Sequence, residues 1–310
     1  MITVGEEIDG LDLEKSTVID PRKMAVKTLI LTALLALFLT FAILAHGVLV
    51  VIAVILVGLM YAHAVELQHQ CLHNTGFRST RLNRFVGVLL GIPSLVSFSD
   101  YQASHFQHHK LLGTPSDKEF FNYGYESLTS LKAFLPHLFM VRHYRDVAVY
   151  IARSLVGRTR DDVPDRTAKR IRSEYLIMAA VLLSMAAVTL ALQTPIFLKL
   201  WVLPLLVAIP THALIELPEH IGCEKTTDVL RSTRTIRSSK LAVWFTNSNN
   251  YHVEHHWQPG VPNDKLPDLH KMVADRITHL DGSYWSFYWW FLGRLYERNL
   301  GRRRHLAKGA

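Results

Sequence analysis

TLILTALLALFLTFAILA, residues 28–45, is a nearly unbroken run of apolar side chains. As a helix, this run is long enough to cross the hydrocarbon core of a bilayer, which is about 30 Å thick. His46 and Gly47 interrupt the run, and residues 48–62 are apolar again. Because the break is so short, the two runs predict a tight hairpin of membrane-spanning helices. The second helix is expected to continue past its apolar part, toward His73.

A second pair of apolar runs occupies residues 175–192 and 196–214. The turn between them, residues 193–195, carries no charge, so the Lys and Arg excess lies at the other ends of the helices. By the positive-inside rule, those ends face the cytoplasm. Pro204 and Pro210 predict that the last helix is kinked or broken.

The fold that follows is an all-α integral membrane protein, with four transmembrane helices as two hairpins and a cytoplasmic helical cap. We expect a single domain with both termini on the cytoplasmic side. Its parts in chain order are a cytoplasmic N-terminal tail (1–27), a first transmembrane hairpin (28–74), a cytoplasmic lobe (75–174), a second transmembrane hairpin (175–214) and a second cytoplasmic lobe (215–310).

Two segments of the lobes are expected at the membrane surface. Residues 85–99 are apolar but too short to span, and Pro93 interrupts them, which predicts a re-entrant or interfacial segment. Residues 284–291 read YWSFYWWF, and aromatic side chains beside basic ones are typical of an interfacial helix. A buried aromatic core is the alternative for this segment. The basic run after it comprises Arg294, Arg298 and residues 302–304.

Composition excludes several classes of protein. Hydrophobic residues make up 49% of the chain and charged residues 19%, with a formal net charge of +8. The sequence contains neither a nucleic-acid-binding motif nor a compact basic module, so the positive charge is expected to face anionic headgroups or acidic proteins. Its two cysteines, Cys71 and Cys223, support neither a disulfide framework nor a thiolate metal site.

Histidines of the polar segments fall into three clusters. His69 and His73 are four residues apart, and residues 104–109 (SHFQHH) and 250–256 (NYHVEHH) each contain His-x-x-His-His. Positions three and four apart share one helix face, so each cluster can present its imidazoles together. Neutral imidazole is a common ligand of first-row transition metals. The clusters supply more ligands than one ion needs and enough for two: His69, His73, His105, His108, His109, His252, His255 and His256.

Other metal-site patterns do not fit the sequence. It contains no His-Glu-x-x-His, the pattern of the zinc peptidases. Soluble carboxylate-bridged di-iron bundles need two Glu-x-x-His motifs, and the chain has one, starting at Glu66. What remains is a site built almost wholly of imidazoles.

The three clusters and their surroundings resemble the histidine boxes of the integral-membrane fatty acid desaturase/hydroxylase superfamily. The resemblance extends over about residues 45–273 and includes SHFQHHK (104–110), NYHVEHHWQP (250–259) and LPDLH (266–270). It implies a non-haem di-iron centre at the cytoplasmic ends of four transmembrane helices. It also implies O2 as co-substrate and an outside source of two electrons per turnover. The eight box histidines would be iron ligands.

Further residues are candidates for the centre and its surroundings. Glu219-His220 resembles an isolated Glu-His of some superfamily members, so His220 is the implied ninth ligand. His212, Glu216 and His220 are spaced to share one face if the helix continues through them, and Glu216 would then orient a ligand histidine. Superfamily members often place an Asn near the metal, and three are available: Asn247, Asn249 and Asn250. His63 and His212 are candidates for the pocket wall, although His63 could mark its helix's water boundary and His212 could be a core residue.

The sequence therefore predicts an O2-dependent membrane oxidoreductase acting on an unactivated C–H bond of an acyl chain or other lipid-like substrate. The residues around the third histidine cluster, 250–256, favour desaturation. Hydroxylation or monooxygenation of an alkyl or small apolar compound stays open, because both outcomes share one ligand set. A membrane zinc or copper transporter or sensor is the alternative from another class, disfavoured because the clusters lie beyond the spans. The sequence shows no electron-carrier domain, so we expect a separate ferredoxin, rubredoxin or cytochrome.

Overall fold

The computed structural model describes residues 16–117 and 130–308 of the chain, and their side chains up to residue 297 apart from that of Leu131. The first part of the predicted tail and the side chains of Arg298 and residues 302–304 in the predicted basic run lie outside this description. The helices are α1 (Pro21–Leu44), α2 (Val48–Leu72), α3 (Thr80–Gly91), α4 (Phe98–Leu111), α5 (Leu131–Leu138), α6 (Val141–Leu155), α7 (Asp165–Leu192), α8 (Leu203–Glu216), α9 (Val229–Ser232), α10 (Lys240–Phe245), α11 (His252–Trp257), α12 (Leu266–Val273) and α13 (Tyr284–Lys308).

Short elements complete the described chain. A π-helical segment, Leu198–Val202, leads directly into α8, and the 3₁₀ turn Leu217–Glu219 follows it. Two more 3₁₀ turns flank α12. Two strands, β1 (Arg234–Ile236) and β2 (His279–Asp281), pair in parallel.

Four helical segments of the described chain are long and apolar enough to cross a membrane: α1, α2, α7 and Leu198–Glu219. They follow one another as two hairpins, so the prediction of an all-α integral membrane protein with four spans is confirmed. α2 lies at the centre of the fold and packs against α1, α3 and α8. At Gly58 the backbones of α2 and α8 are so close that an added Cβ would lie 2.6 Å from the carbonyl oxygen of Pro204.

The first span begins earlier than the apolar run predicts. α1 starts at Pro21 rather than at residue 28, because Asp20 caps the helix and accepts a hydrogen bond from the Arg22 amide at 3.1 Å. Two of the charged residues that made this turn look like a tail, Lys23 and Lys27, have partners elsewhere in the fold. The Lys27 ammonium, for example, donates to Asn247 Oδ1 at 2.6 Å.

The helix that carries the second histidine cluster, α4, is held at its N-terminus by α7. α7 begins at Asp165, ten residues before the predicted start, and its Glu174 carboxylate is buried. Glu174 accepts hydrogen bonds from the Ser97 hydroxyl (2.8 Å), from the Ser99 amide and hydroxyl (2.8 and 2.7 Å) and from Arg84 (2.7 Å). A carboxylate here satisfies unpaired N–H groups and complements the helix dipole.

The fourth span is irregular at one of its two prolines. Pro204 follows the π-helical segment Leu198–Val202, whereas Pro210 lies within the continuous helix α8. Because Pro204 has no N–H, the carbonyl of Leu200, four residues earlier, loses its usual helical donor. The Tyr61 hydroxyl of α2 donates to this carbonyl at 2.8 Å, which satisfies it inside the apolar layer.

The two segments expected at the membrane surface are helical and two-faced. Part of the predicted 85–99 segment forms the end of α3, where Phe85 and Leu89 are exposed. In α13, Trp285 and Trp289 are exposed while Phe287 is buried. One face of α13 therefore matches the interfacial interpretation and the other matches the buried aromatic core.

We expect Tyr61→Phe to lower the free energy of unfolding by roughly 1–2 kcal/mol, because it leaves the Leu200 carbonyl without a donor in an apolar setting. Equilibrium unfolding in detergent measures this loss. Tyr296→Phe is the control, since that side chain is exposed. Equal stability of the two variants would contradict the role given to the Tyr61 hydroxyl.

Candidate metal centre

One group of four histidines comes from all three sequence clusters. His69 lies at the end of α2 and His73 just beyond it, while His105 lies on α4 and His255 on α11. His105 Nε2 is 2.8 Å from His69 Nε2 and 2.9 Å from His73 Nε2. One ligand atom from each ring lies within 4.8 Å of all the others. These residues could hold one metal ion.

A second group of four adds a residue from outside the clusters. His108 of α4 lies beside His252 and His256 of α11, and His220 completes the group. His220 Nε2 is 3.1 Å from His108 Nε2 and 3.0 Å from His252 Nε2. The ligand atoms again lie within 4.8 Å of one another, as a second ion would require.

His109 lies between the two groups. Its Nε2 is 3.0 Å from His105 Nε2 and 3.1 Å from His255 Nε2, both in the first group. Its ring stacks on that of His256 in the second group, with ring centroids 4.1 Å apart. The structure therefore brings together all nine histidines that the sequence analysis named as ligands.

His220 reaches the centre by a different route from the one its spacing predicted. The condition for a single helix face through His212, Glu216 and His220, a helix that continues past Pro218, is not met, because α8 ends at Glu216 and a 3₁₀ turn follows. Pro218 lies in that turn and cannot donate the helical hydrogen bond. The turn directs His220 to the second group, and its Nδ1–H donates to the Ser232 carbonyl at 3.1 Å.

The protein environment keeps the imidazoles neutral. Burial lowers the pKa of His73, His105, His109, His220, His252, His255 and His256 well below the ordinary value, and for most of them repulsion from the neighbouring imidazoles adds to the effect. Neutral imidazole is the form that binds a metal. The low pKa values therefore suit a metal site.

The donor set also fits two metal ions. The Nδ1 atoms of His69, His108 and His220 each face a protein oxygen, at 2.9–3.1 Å. A neutral ring that donates from Nδ1 carries its lone pair on Nε2. Several Nε2 atoms thus face one another at about 3 Å, where lone pairs repel unless cations lie between them.

Of the three candidate asparagines, Asn249 is the one that contacts a histidine of the centre. Its Oδ1 accepts from His69 Nδ1 at 3.0 Å, and its amide group donates to Glu66 Oε2 at 2.6 Å. Asn247 instead donates to Gln70 Oε1 at 3.0 Å. Asn250 links the segment before α11 to β1, because its side-chain amide donates to the Ile236 carbonyl at 2.8 Å.

Two carboxylates beside the centre were missed by the sequence analysis. Asp117 Oδ1 lies 2.9 Å from His108 Nδ1, and Glu219 Oε1 lies 3.4 Å from His252 Nδ1. No periodic pattern relates Asp117 to His108, so sequence offered no signal for it. Glu219 directly precedes His220 in the sequence, and this position next to a predicted ligand could have identified it as a residue near the centre.

A small cavity opens at the first group. It is lined by His69, Tyr101, His105, Glu216, Glu219, Asn249 and His252. Of the two predicted pocket-wall residues, His212 lies behind the cavity wall. Its Nε2 is 3.2 Å from Oε1 of Glu216, which lines the cavity. His63 packs against Trp244, and its Nδ1–H donates to the Phe245 carbonyl at 2.6 Å.

The family comparison agrees with this geometry. Residues 45–288, more than half of the chain, match the family model described as fatty acid desaturase. The chain belongs to this family. It is also 26% identical over 249 residues to the dihydrorhizobitoxine desaturase of Bradyrhizobium elkanii, an alignment that covers 75% of this chain and 68% of that protein. This fatty acid desaturase family member is thus a desaturase/hydroxylase-type oxidoreductase, as predicted.

We expect Asn249→Ala to weaken divalent-metal binding about 10- to 100-fold, because His69 loses the acceptor that sets its tautomer. Competition with a chelator measures the affinity. Asn250→Ala is the matched control, since it removes a neighbouring buried amide that contacts the Ile236 carbonyl. An unchanged affinity in Asn249→Ala would contradict the positioning role of this residue.

Proposed function

We propose that the protein is an O2-dependent, non-haem di-iron oxidoreductase that desaturates an acyl chain or another lipid-like substrate at an unactivated C–H bond. The observation that carries this proposal is the convergence of nine imidazoles, six of them buried, with eight of the nine in two groups of four that could each hold an ion. Membership of the fatty acid desaturase family supports iron rather than zinc or copper. The same finding argues against a metal transporter or sensor.

The chain's residues divide between the two proposed irons. One would be held by His69, His73, His105, His109 and His255, and the other by His108, His220, His252 and His256. When bound, such a pair supplies O2 activation and removal of hydrogen from carbon. Asn249 and Asp117 orient ligand rings through Nδ1, and burial of the rings keeps bulk water from the reaction.

Desaturation is proposed ahead of hydroxylation. Both reactions use the same ligand set, so the geometry of the histidines favours neither. The relative in Bradyrhizobium elkanii is named a desaturase, and the similarity to it extends over 75% of this chain. Hydroxylation or monooxygenation of an alkyl or small apolar substrate is the second candidate.

We propose that the centre and both chain termini face the cytoplasm. Arg22 and Lys23 lie at the start of α1, and Arg78 and Arg81 follow the end of α2, at the same ends of the first hairpin as the histidines. The opposite turn, residues 45–47, carries no charged Lys or Arg. The positive-inside rule assigns the basic side to the cytoplasm.

Iron analysis of anaerobically purified protein tests the proposal. We expect two irons per chain, matching the two histidine groups, and loss of both in His108→Ala and in His255→Ala, one variant in each group. His46→Ala is the control, because His46 lies exposed in the α1–α2 turn. A single tightly held zinc, unaffected by one of the two variants, would overturn the di-iron proposal and favour the transporter or sensor.

The electron donor is proposed to be a separate acidic carrier of the ferredoxin, rubredoxin or cytochrome type, docking at the exposed face of α4. Phe106 is 43% exposed, and its ring centroid lies 5.3 Å from that of His73. Lys110, one helical turn further along α4, is also exposed. This exposed face is in ring contact with His73 of the first histidine group, and Lys110 offers a positive charge to an acidic partner.

We expect Lys110→Glu to raise the KM for a reduced ferredoxin roughly 3- to 10-fold, with a difference that shrinks as salt rises. Turnover with dithionite as reductant should be unchanged. Arg158→Glu is the control, since it makes the same charge change on the loop after α6. An equal effect of both variants would place the docking face elsewhere.

A further inference from the structure

Three buried side chains form a continuous contact chain beside the cavity: Glu66 of α2, and His212 and Glu216 of α8. We refer to them as the buried triad. Their residues are 2%, 5% and 7% exposed. His212 Nδ1 lies 2.9 Å from Glu66 Oε1, and His212 Nε2 lies 3.2 Å from Glu216 Oε1. The three histidine clusters of the sequence do not include any of these residues.

The contacts of His212 favour an extra proton. Nδ1 is hydrogen-bonded to the Glu66 carboxylate, and Nε2 lies within ion-pair distance of the Glu216 carboxylate, so both contacts are favourable when the ring is doubly protonated and positive. A neutral imidazole carries one N–H hydrogen. With two ionised carboxylates, a lone pair on the second nitrogen would face a negative oxygen in a low-dielectric setting, which is costly. The triad is therefore satisfied when it holds one proton more than a neutral ring and two carboxylates.

One end of the triad opens onto the cavity. Glu216 lines this cavity together with His69 and His105, and the Tyr101 hydroxyl donates to Glu216 Oε1 at 3.3 Å. The other end is closed by an amide, because Asn249 donates to Glu66 Oε2. A proton leaving the triad toward the reaction would therefore leave through Glu216.

Titratable side chains from other elements also face the triad. Tyr284 of α13 lies near Glu66 and Glu219, and burial together with these charges raises its pKa well above the ordinary value. The pKa of His143 in α6 is lowered to about 4, mainly by burial and in addition by repulsion from the charge of His212. Neither group carries a charge near neutral pH, so the proton of the triad faces neutral neighbours on these two sides.

We propose that the buried triad stores a proton and delivers it through Glu216 to oxygen in the cavity, an inference that rests on the proposed function. Desaturation takes two hydrogens from the substrate and, with O2, two electrons and two protons, gives one double bond and two waters. Hydroxylation with the same O2, electrons and protons gives one alcohol and one water. Either outcome needs protons at a centre that burial separates from bulk water.

The transfer can be written atom by atom. The O–H bond of a protonated Glu216 carboxyl breaks, and the proton joins an oxygen that the donor's electrons are reducing. That proton is the one extra proton of the triad and had come to Glu216 Oε1 from His212 Nε2, so its departure leaves a neutral His212 whose Nδ1 proton stays shared with Glu66 Oε1. One proton from solvent, entering by way of the cavity, reloads the triad before the next transfer, and two such transfers complete one turnover.

A structural cross-link between α2 and α8 is the competing role for the triad, so the test includes measurements that a cross-link would not change. The variants are Glu216→Gln and Glu66→Gln, which keep side-chain size, in the iron-loaded full-length protein in lipid nanodiscs. Glu224→Gln is the control, because its carboxylate is partly exposed and pairs with Arg231. Unfolding midpoints and iron content are measured for all of them.

The first measurement is turnover. We expect Glu216→Gln to lower product formation roughly 100-fold, the range for loss of a proton donor. Iron content should stay at the wild-type level, O2 consumed per product should rise, and the solvent deuterium isotope effect should change. Wild-type turnover with a wild-type isotope effect in Glu216→Gln would overturn the proposal and leave the proposed function standing.

The second measurement does not depend on turnover. Infrared difference spectra between acidic and alkaline pH should contain the C=O stretch of a protonated buried carboxyl, which Glu216→Gln or Glu66→Gln removes and Glu224→Gln keeps. His212→Asn should shift the pH at which this band appears. A band that survives both triad variants would overturn the proton store. If the wild-type protein neither binds iron nor turns over, the proposed function fails, while the infrared result still decides whether the triad holds a proton.

Discussion

Neutral imidazoles crowded into a buried space are the physical constraint on which the rest of the structure depends. The rings cannot relieve their mutual lone-pair repulsion by taking up protons, because burial and the neighbouring rings lower their pKa values. Cations shared between the rings relieve it. Metal binding to this arrangement would therefore be coupled to folding, since the histidines converge only in the folded state.

The scaffold meets this constraint by fixing the helices that carry the ligands. Glu174 of α7 holds the N-terminus of α4, which carries three of the nine histidines. Glu254, fully buried within α11, accepts from Thr235 of β1 at 2.5 Å and contacts His270 of α12. Polar contacts of this kind have directional geometry, so they determine the orientation of a short helix more strictly than apolar packing does.

Two buried glutamates show how differently one residue type is used in the same chain. Glu174 accepts hydrogen bonds from three residues, all donors, which favours a fixed carboxylate. Glu66 instead shares its oxygens between an asparagine amide and the ring of His212. Surroundings made only of donors stabilise a static charge, whereas a contact with an imidazole provides a partner with which a proton can be exchanged.

Apolar run length and histidine spacing are local properties, so the sequence alone determined the four spans and the eight box histidines. The helices that begin at Pro21 and Asp165 include charged residues before the apolar runs, and the long-range partners of such residues, as in Lys27 with Asn247 and Glu174 with Ser97, were not readable from the sequence. The same reason applies to the site: Asn249 contacts His69 across 180 residues, and nothing local distinguishes it from its neighbouring asparagines. Only the tertiary structure decided which side chains surround the histidines, because those contacts join segments that meet only when the helices pack.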